Sequence, residues 1–215
     1  MNVEKNKKNV WKRILIFTLM FAAAGGITYF GSLLHQNKQD LLLRNVVMIL
    51  AGTGAVIFSF VLSEFNGFFI YHNEGRYGRF ALMYMISLCA AVSLPYLPVS
   101  GWPFLVIFVL LGVFSNGMTG LAAGSLCLLL SVNFAGCDCA IFWLYFISGL
   151  AGILVFSTLD DDFKVGLPLL ISILVLALCL MGNVILFVNA KLSFGQFTIP
   201  AVKLMVSCIL LLVRL

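Results

Sequence analysis

Long apolar runs without charged residues follow one another along most of this chain. The first covers residues 14–34. In a helix that rises about 1.5 Å per residue, this run is long enough to cross a hydrocarbon layer of roughly 30 Å. Further runs of spanning length follow at residues 46–63, 80–97, 140–158 and 167–189. The pattern predicts an all-α fold, a polytopic transmembrane bundle of about seven or eight helices.

The apolar stretch at residues 104–134 is longer than one ordinary membrane helix, and a Ser-Asn-Gly triplet at 115–117 interrupts it. Two short helices fit this stretch best, so we predict a broken helix pair. The preceding run is stopped by Pro95 and Pro98, and a turn containing Trp102 follows. Tryptophan is typical of the membrane interface, which places this turn at the surface of the bilayer.

Composition agrees with a membrane environment. Of all residues, 62% are hydrophobic and 10% are charged, whereas roughly a quarter of a soluble domain is charged. No charged residue stands between Phe80 and Cys137, so nothing in that stretch would hydrate a soluble exterior. We therefore expect a single membrane domain over residues 14–215, in contact with lipid, preceded by a basic cytoplasmic segment at 1–13.

The charge distribution predicts an orientation. The formal net charge is +5, and five of the thirteen basic residues stand together before the first apolar run: Lys5, Lys7, Lys8, Lys12 and Arg13. Basic residues flanking membrane helices stay in the cytoplasm, where anionic headgroups attract them. The cluster therefore predicts a cytoplasmic N-terminus in a cell-membrane protein, and it explains the excess charge without a nucleic-acid partner.

The loop at residues 64–79 carries two arginines, Arg76 and Arg79, and is expected on the cytoplasmic side after two crossings. Beyond it, two topologies stay open. If residues 104–134 cross twice, the acidic loop at 160–162 lies inside and two later lysines lie outside, against the usual bias: Lys191 and Lys203. A single long, kinked crossing would restore agreement with that bias.

No predicted span contains Asp, Glu, Lys, Arg or His in its interior, which disfavours a proton-driven transporter. His35 and His72 lie in different loops, and no nucleophile elbow or phosphate-binding glycine loop is present. We therefore expect no catalytic residues, no cofactor and no metal. Cys137 and Cys139 lie together in a polar loop, with a redox or metal role as the alternative.

Four polar or aromatic residues are the ligand-binding candidates: Trp102, Asn116, Asn133 and Asn183. A buried amide loses free energy unless it is hydrogen-bonded, so these asparagines either join helices or line a polar cavity. Irregular backbone at membrane depth usually lines a cavity, which favours the region between the Asn116 break and the Trp102 turn.

Small residues mark candidate packing surfaces. Gly120 and Gly124 form a small-xxx-small pair, as do Ala22 and Gly26. Such pairs let two helix backbones approach closely in a membrane. Each pair either packs within the bundle or docks a membrane partner subunit.

The segment LPVSGWPFLVIFVLLGVFSNGMTGLAAGSLCLLL resembles part of the substrate-binding S components of energy-coupling-factor transporters. The shared features are a proline, a short helix, a Gly-rich break and a second short helix. The segment is also similar to parts of the rod-shape protein MreD and of the seven-helix membrane portions of bacterial HD-domain receptors. The stretch at residues 21–26 resembles the small-residue face with which S components meet their transmembrane partner.

The resemblance implies a bacterial binding or transport subunit that relies on a partner for energy, since the chain has no nucleotide-binding motif of its own. No ligand-contact residue is carried over from the family, and the small-molecule ligand is unknown. The rival interpretation is a membrane scaffold or sensor module that transports nothing.

Overall fold

The computed structural model describes residues 2–35, 39–66 and 76–157, and the regular structure in these ranges is all helical. Six α-helices follow in order: α1 (Asn2–Leu34), α2 (Gln39–Phe65), α3 (Arg76–Ser93), α4 (Phe104–Phe114), α5 (Gly117–Ala135) and α6 (Cys139–Ser157). The all-α class is thus confirmed for this part. The predicted span at 167–189, and with it the total of seven or eight helices, lies outside the described residues.

Within the described ranges, four helical segments are long and apolar enough to cross a membrane: Trp11–Leu34, Gln39–Phe65, Tyr77–Tyr96 and Gly117–Ala135. Two further apolar segments are shorter: Phe104–Phe114 and Cys139–Leu154. Outward positions carry large apolar side chains such as Leu15, Phe58 and Leu82, each more than half exposed. A surface of this kind is stable in contact with lipid chains and not in contact with water.

The first two helices extend further than their apolar runs. Helix α1 begins at Asn2, whereas its apolar run begins at residue 14. Helix α2 begins at Gln39, whereas its apolar run begins at residue 46. The length of an apolar run shows only how much hydrocarbon a helix crosses. The backbone hydrogen bonds of the helix continue through polar residues that lie outside the hydrocarbon. Lys, Glu and Gln are good helix formers, so the polar flanks stay helical.

The predicted break between α4 and α5 is confirmed, and its chemistry is local. Helix α4 ends at Phe114, and Asn116 caps the next helix by accepting a 2.7 Å hydrogen bond from the Thr119 backbone N–H. Asparagine is a strongly preferred N-cap because its side chain satisfies a backbone donor that the first turn leaves free. At the far end of α5, Gly136 adopts φ +62°, a left-handed conformation that favours glycine.

Consecutive helices run in opposite directions, so the bundle has two ends. At the first, which we name the Arg13 end, Arg13 of α1 contacts Glu64 of α2 and Tyr77 of α3. At the other, the His35 end, His35 contacts Val92 of α3. Helices α1, α3 and α5 run from the Arg13 end to the His35 end, and α2, α4 and α6 run back.

Helices α4, α5 and α6 meet along a seam of glycines. A Cβ atom on Gly120 would lie 2.5 Å from the backbone nitrogen of Gly112, so α4 and α5 are in backbone contact there. The ring of Phe108 fills the space beside Gly124 of α5 and Gly149 of α6. Close approach of this kind is how membrane helices gain dispersion energy where lipid offers no hydrophobic driving force.

Candidate functional site

Two buried amides meet at the His35 end. Asn133 Nδ2 of α5 donates a hydrogen bond to Asn45 Oδ1 of α2 over 2.5 Å. Asn45 is 1% exposed and Asn133 is half-buried, so the exposed part of the pair belongs to Asn133. The sequence singled out Asn133, and the structure adds the partner that it joins.

Three buried side-chain polar atoms in the described ranges lack a hydrogen-bond partner: Ser32 Oγ, Asn45 Nδ2 and Ser148 Oγ. The first two belong to the His35 end, because Ser32 lies one turn before His35 and Asn45 lies near the start of α2. An unpaired buried donor costs roughly 1–3 kcal/mol. Water or a bound molecule that supplies an acceptor oxygen would remove this cost.

His35 joins three elements at the same end. Its Nε2 donates to the carbonyl oxygen of Val92 over 2.9 Å, which fixes the proton on that nitrogen. Its ring is stacked between Tyr96 and Phe134, with centroid distances of 4.8 and 4.9 Å. Phe134 is the chain neighbour of Asn133, so His35 and the amide pair lie at the same end of the bundle.

Sequence reasoning missed His35 and Asn45 because it placed both in the polar link between the first two spans. A signal for Asn45 was present in the chain. It begins a buried stripe at helical spacing along α2: Asn45, Ile49, Thr53, Val56, Phe60 and Ser63. A polar residue in register with such a stripe faces the interior of the bundle and not solvent.

Trp102 lies in the turn before α4, and its side chain is buried in the core of the bundle. It is 1% exposed, and its Nε1 donates to the Leu97 carbonyl oxygen over 3.3 Å. Its ring stacks on Tyr145 of α6 at 6.0 Å and meets Phe104 edge-on at 5.7 Å. Tyr145 in turn donates to the Val99 carbonyl oxygen over 2.5 Å. The polar atom of Trp102 is therefore used inside the protein.

The structure does not bring Trp102 and Asn116 together. Trp102 precedes α4 and Asn116 follows it, so the length of that helix, about 16 Å at 1.5 Å per residue, separates them. Asn133, at the far end of α5, belongs to the His35 end, as does the turn that contains Trp102. Asn183 lies outside the described residues.

The two small-residue pairs have different surroundings. Gly120 and Gly124 are buried against α4, and neither has room for a Cβ. Ala22 is exposed, and nothing lies within 4 Å of a Cβ placed on Gly26. The first pair packs within the bundle, and the second leaves a shallow outward surface on α1.

A charged and aromatic cluster joins three helices at the Arg13 end. Arg13 Nη2 lies 3.2 Å from Glu64 Oε1, and its guanidinium carbon lies 4.3 Å from the centroid of the Tyr77 ring. The Tyr77 hydroxyl also donates to Glu64. The acidic residue near the end of the second span is thus neutralised by an ion pair, which agrees with an interfacial residue rather than a proton relay.

Two free thiols lie where α5 meets α6: Cys137 in the connecting loop and Cys139 at the start of α6. Partial burial, with the negative charge of Asp138 as a second cause, raises the pKa of the Cys137 thiol. The protonated thiol is neither a good nucleophile nor a metal ligand. In the described ranges no group of three or more His, Cys, Asp or Glu side chains is placed to hold a metal ion.

Comparisons with known proteins give no relative. The chain matches no family model, no curated protein and no solved structure. The resemblance of residues 97–130 to S components therefore stays a prediction from sequence. A function for this chain has to be inferred from its own residues.

Proposed function

We propose that this protein is a substrate-binding or transport subunit of a cell membrane, without an energy-coupling domain of its own. Its ligand site is the cluster at the His35 end formed by Ser32, His35, Asn45 and Asn133. The ligand is a small metabolite that presents an acceptor oxygen, such as a carbonyl or carboxylate, to the donors of this cluster.

The unpartnered Asn45 Nδ2 is the observation that carries this proposal. It is buried, it belongs to the amide pair that joins α2 and α5, and it lies at the same end as a second unpartnered donor, Ser32 Oγ. A purely structural pair of amides would satisfy its donors within the bundle, because hydrocarbon offers them no alternative. A ligand-binding cluster instead keeps donors free for the molecule that it takes up.

Charge asymmetry supports the orientation that uptake requires. Among the described side chains, the Arg13 end carries Lys12, Arg13 and Arg79 against the single acid Glu64. Basic residues favour the cytoplasmic side, so the His35 end faces outward, where a substrate arrives. In this orientation the hairpin of α4 and α5 begins and ends at the outward His35 end, and the Cys137 loop is external.

A transport subunit without its own energy source also requires a membrane partner. The outward Ala22 and Gly26 surface of α1 supports this part of the proposal, because a helix of a partner subunit can approach closely there. The same surface would serve a scaffold or sensor. Ligand binding at the His35 end therefore distinguishes the two functions.

The test is the thermal stability of the detergent-purified protein across a library of vitamins, metabolites and lipids. A ligand that binds only the folded state adds about 2.7 kcal/mol to its stability at a hundred times the dissociation constant. We expect a saturable rise in the melting temperature for a small oxygen-bearing metabolite. We expect the rise to disappear when Asn45→Leu and Asn133→Leu are combined, since this double change removes both amides and leaves no orphaned partner.

The control is Ser59→Ala, which removes a polar contact between α2 and α5 away from the cluster, where Ser59 Oγ lies 3.2 Å from Thr119 Oγ1. It should leave the ligand response intact. If no compound raises the melting temperature and a partner protein copurifies, the chain is a scaffold or sensor and the proposal is wrong. A response that survives the double change would place the site elsewhere.

A further inference from the structure

Helix α1 is longer than a bilayer requires, and its excess length lies at the Arg13 end. Its 33 residues extend about 50 Å, against a hydrocarbon core of roughly 30 Å. The helix ends at Leu34, beside the His35 end, so the extra turns project from the opposite side. The residues around Trp11 therefore lie at the level of the lipid headgroups.

Exposed cations are concentrated at this level. Lys12 of α1 and Arg79 of α3 are both exposed. They flank the contact between Arg13 and Tyr77, which holds α1 and α3 together at this end. Glu64, the acidic side chain described in this cluster, is already bonded by Arg13 and Tyr77. Among the side chains described at this end, no carboxylate is therefore left to neutralise Lys12 and Arg79.

The exposed Trp11 ring adds an anchor to this surface. It is 67% exposed and stands next to Lys12 on the helix. An indole ring prefers the boundary between hydrocarbon and headgroups, where its apolar face and its N–H are both accommodated. Two cations beside an interfacial tryptophan match the charge and the depth of a layer of phosphate headgroups.

We propose that the Arg13 end binds anionic lipid headgroups, with Lys12 and Arg79 as the cations and Trp11 as the interfacial anchor. The surface holds anionic phospholipid next to the protein in preference to zwitterionic phospholipid. This interaction requires only that the protein is embedded in a membrane, and it is independent of ligand binding at the His35 end.

The test uses tryptophan quenching in vesicles of equal parts phosphatidylglycerol and phosphatidylcholine, with one of the two lipids brominated. A Trp143→Phe variant leaves Trp11 and the buried Trp102, which lies away from lipid. Brominated phosphatidylglycerol should quench Trp11 more strongly than brominated phosphatidylcholine. Combining Lys12→Gln with Arg79→Gln should strongly reduce the difference, since each basic residue contributes about a fivefold preference, equivalent to ~1 kcal/mol.

The matched control is Trp11→Phe, which leaves Trp143 near the start of α6, at the His35 end, as the exposed fluorophore. Both brominated lipids should quench Trp143 equally. The melting temperature of each variant establishes that it is folded. Equal quenching of Trp11 by the two lipids, or a preference that the double Gln change leaves undiminished, would overturn the proposal.

Discussion

Gly120→Ala should destabilise the bundle by about 2 kcal/mol, although alanine is the better helix former. The new Cβ would lie 2.5 Å from the backbone nitrogen of Gly112 and 3.0 Å from the carbonyl carbon of Leu111. Both atoms belong to the α4 backbone, so no side chain can rotate away and the helices must separate. Overpacking of this kind costs roughly 1–3 kcal/mol. Unfolding of the purified protein in mixed micelles with increasing SDS measures the loss.

Gly26→Ala is the matched control for this prediction. It makes the same substitution inside a helix, but nothing lies within 4 Å of the new Cβ. Here the higher helix propensity of alanine should dominate and stabilise the protein by roughly 0.5–1 kcal/mol. If the two variants change stability in the same direction and to the same extent, α4 and α5 are not in backbone contact at Gly120.

Trp102→Ala should have the larger effect, a loss of about 3 kcal/mol in unfolding free energy. The substitution leaves a cavity in the core and removes the indole ring that Tyr145 and Phe104 both contact. Trp102→Phe retains an aromatic ring and loses the hydrogen bond to the Leu97 carbonyl oxygen, so it should cost about 1 kcal/mol. The same SDS titration measures both variants.

Trp143→Ala is the control, because that side chain is 55% exposed on α6. Its effect should stay within roughly 0.5 kcal/mol. A Trp102→Ala variant that keeps its full stability but no longer binds a metabolite that stabilises the unmodified protein would contradict a structural role for Trp102. It would restore Trp102 as a ligand contact, as the sequence analysis proposed.

Helix positions were predictable from the sequence because a membrane imposes a length and a polarity on each span. The break between α4 and α5 was equally accessible, since Asn116 and Gly117 follow one another in the middle of an apolar stretch. Both signals are local. The polar ends of α1 and α2 were missed because the length of an apolar run does not show how far the helix continues into the headgroup region.

The contacts that define the candidate site join residues distant in the chain, and no local signal encodes them. Asn45 and Asn133 are 88 positions apart, and Arg13 and Glu64 are 51 apart. A single sequence shows that each residue is polar, but it contains nothing that pairs one with another. Trp102 and Asn116 illustrate the opposite error, because residues separated by a short helix look close in sequence and lie at its two ends.

The proposed sides of the membrane, with the Arg13 end inside and the His35 end outside, depend on how the helices cross it. Thiol labelling in intact cells is a direct test of this crossing pattern. Cys139 is exposed at the start of α6 and is expected outside, whereas a cysteine introduced by Lys12→Cys is expected inside. Cys139 should react faster than Cys137, because the raised pKa of Cys137 keeps the Cys137 thiol protonated. A Cys139→Ser variant identifies the labelled residue.

A membrane-impermeant maleimide should label Cys139 in intact cells and should reach the Lys12→Cys thiol only after the cells are permeabilised. The reverse pattern would place the His35 end in the cytoplasm and contradict the uptake orientation. Labelling of both thiols from the same side would contradict the crossing pattern itself.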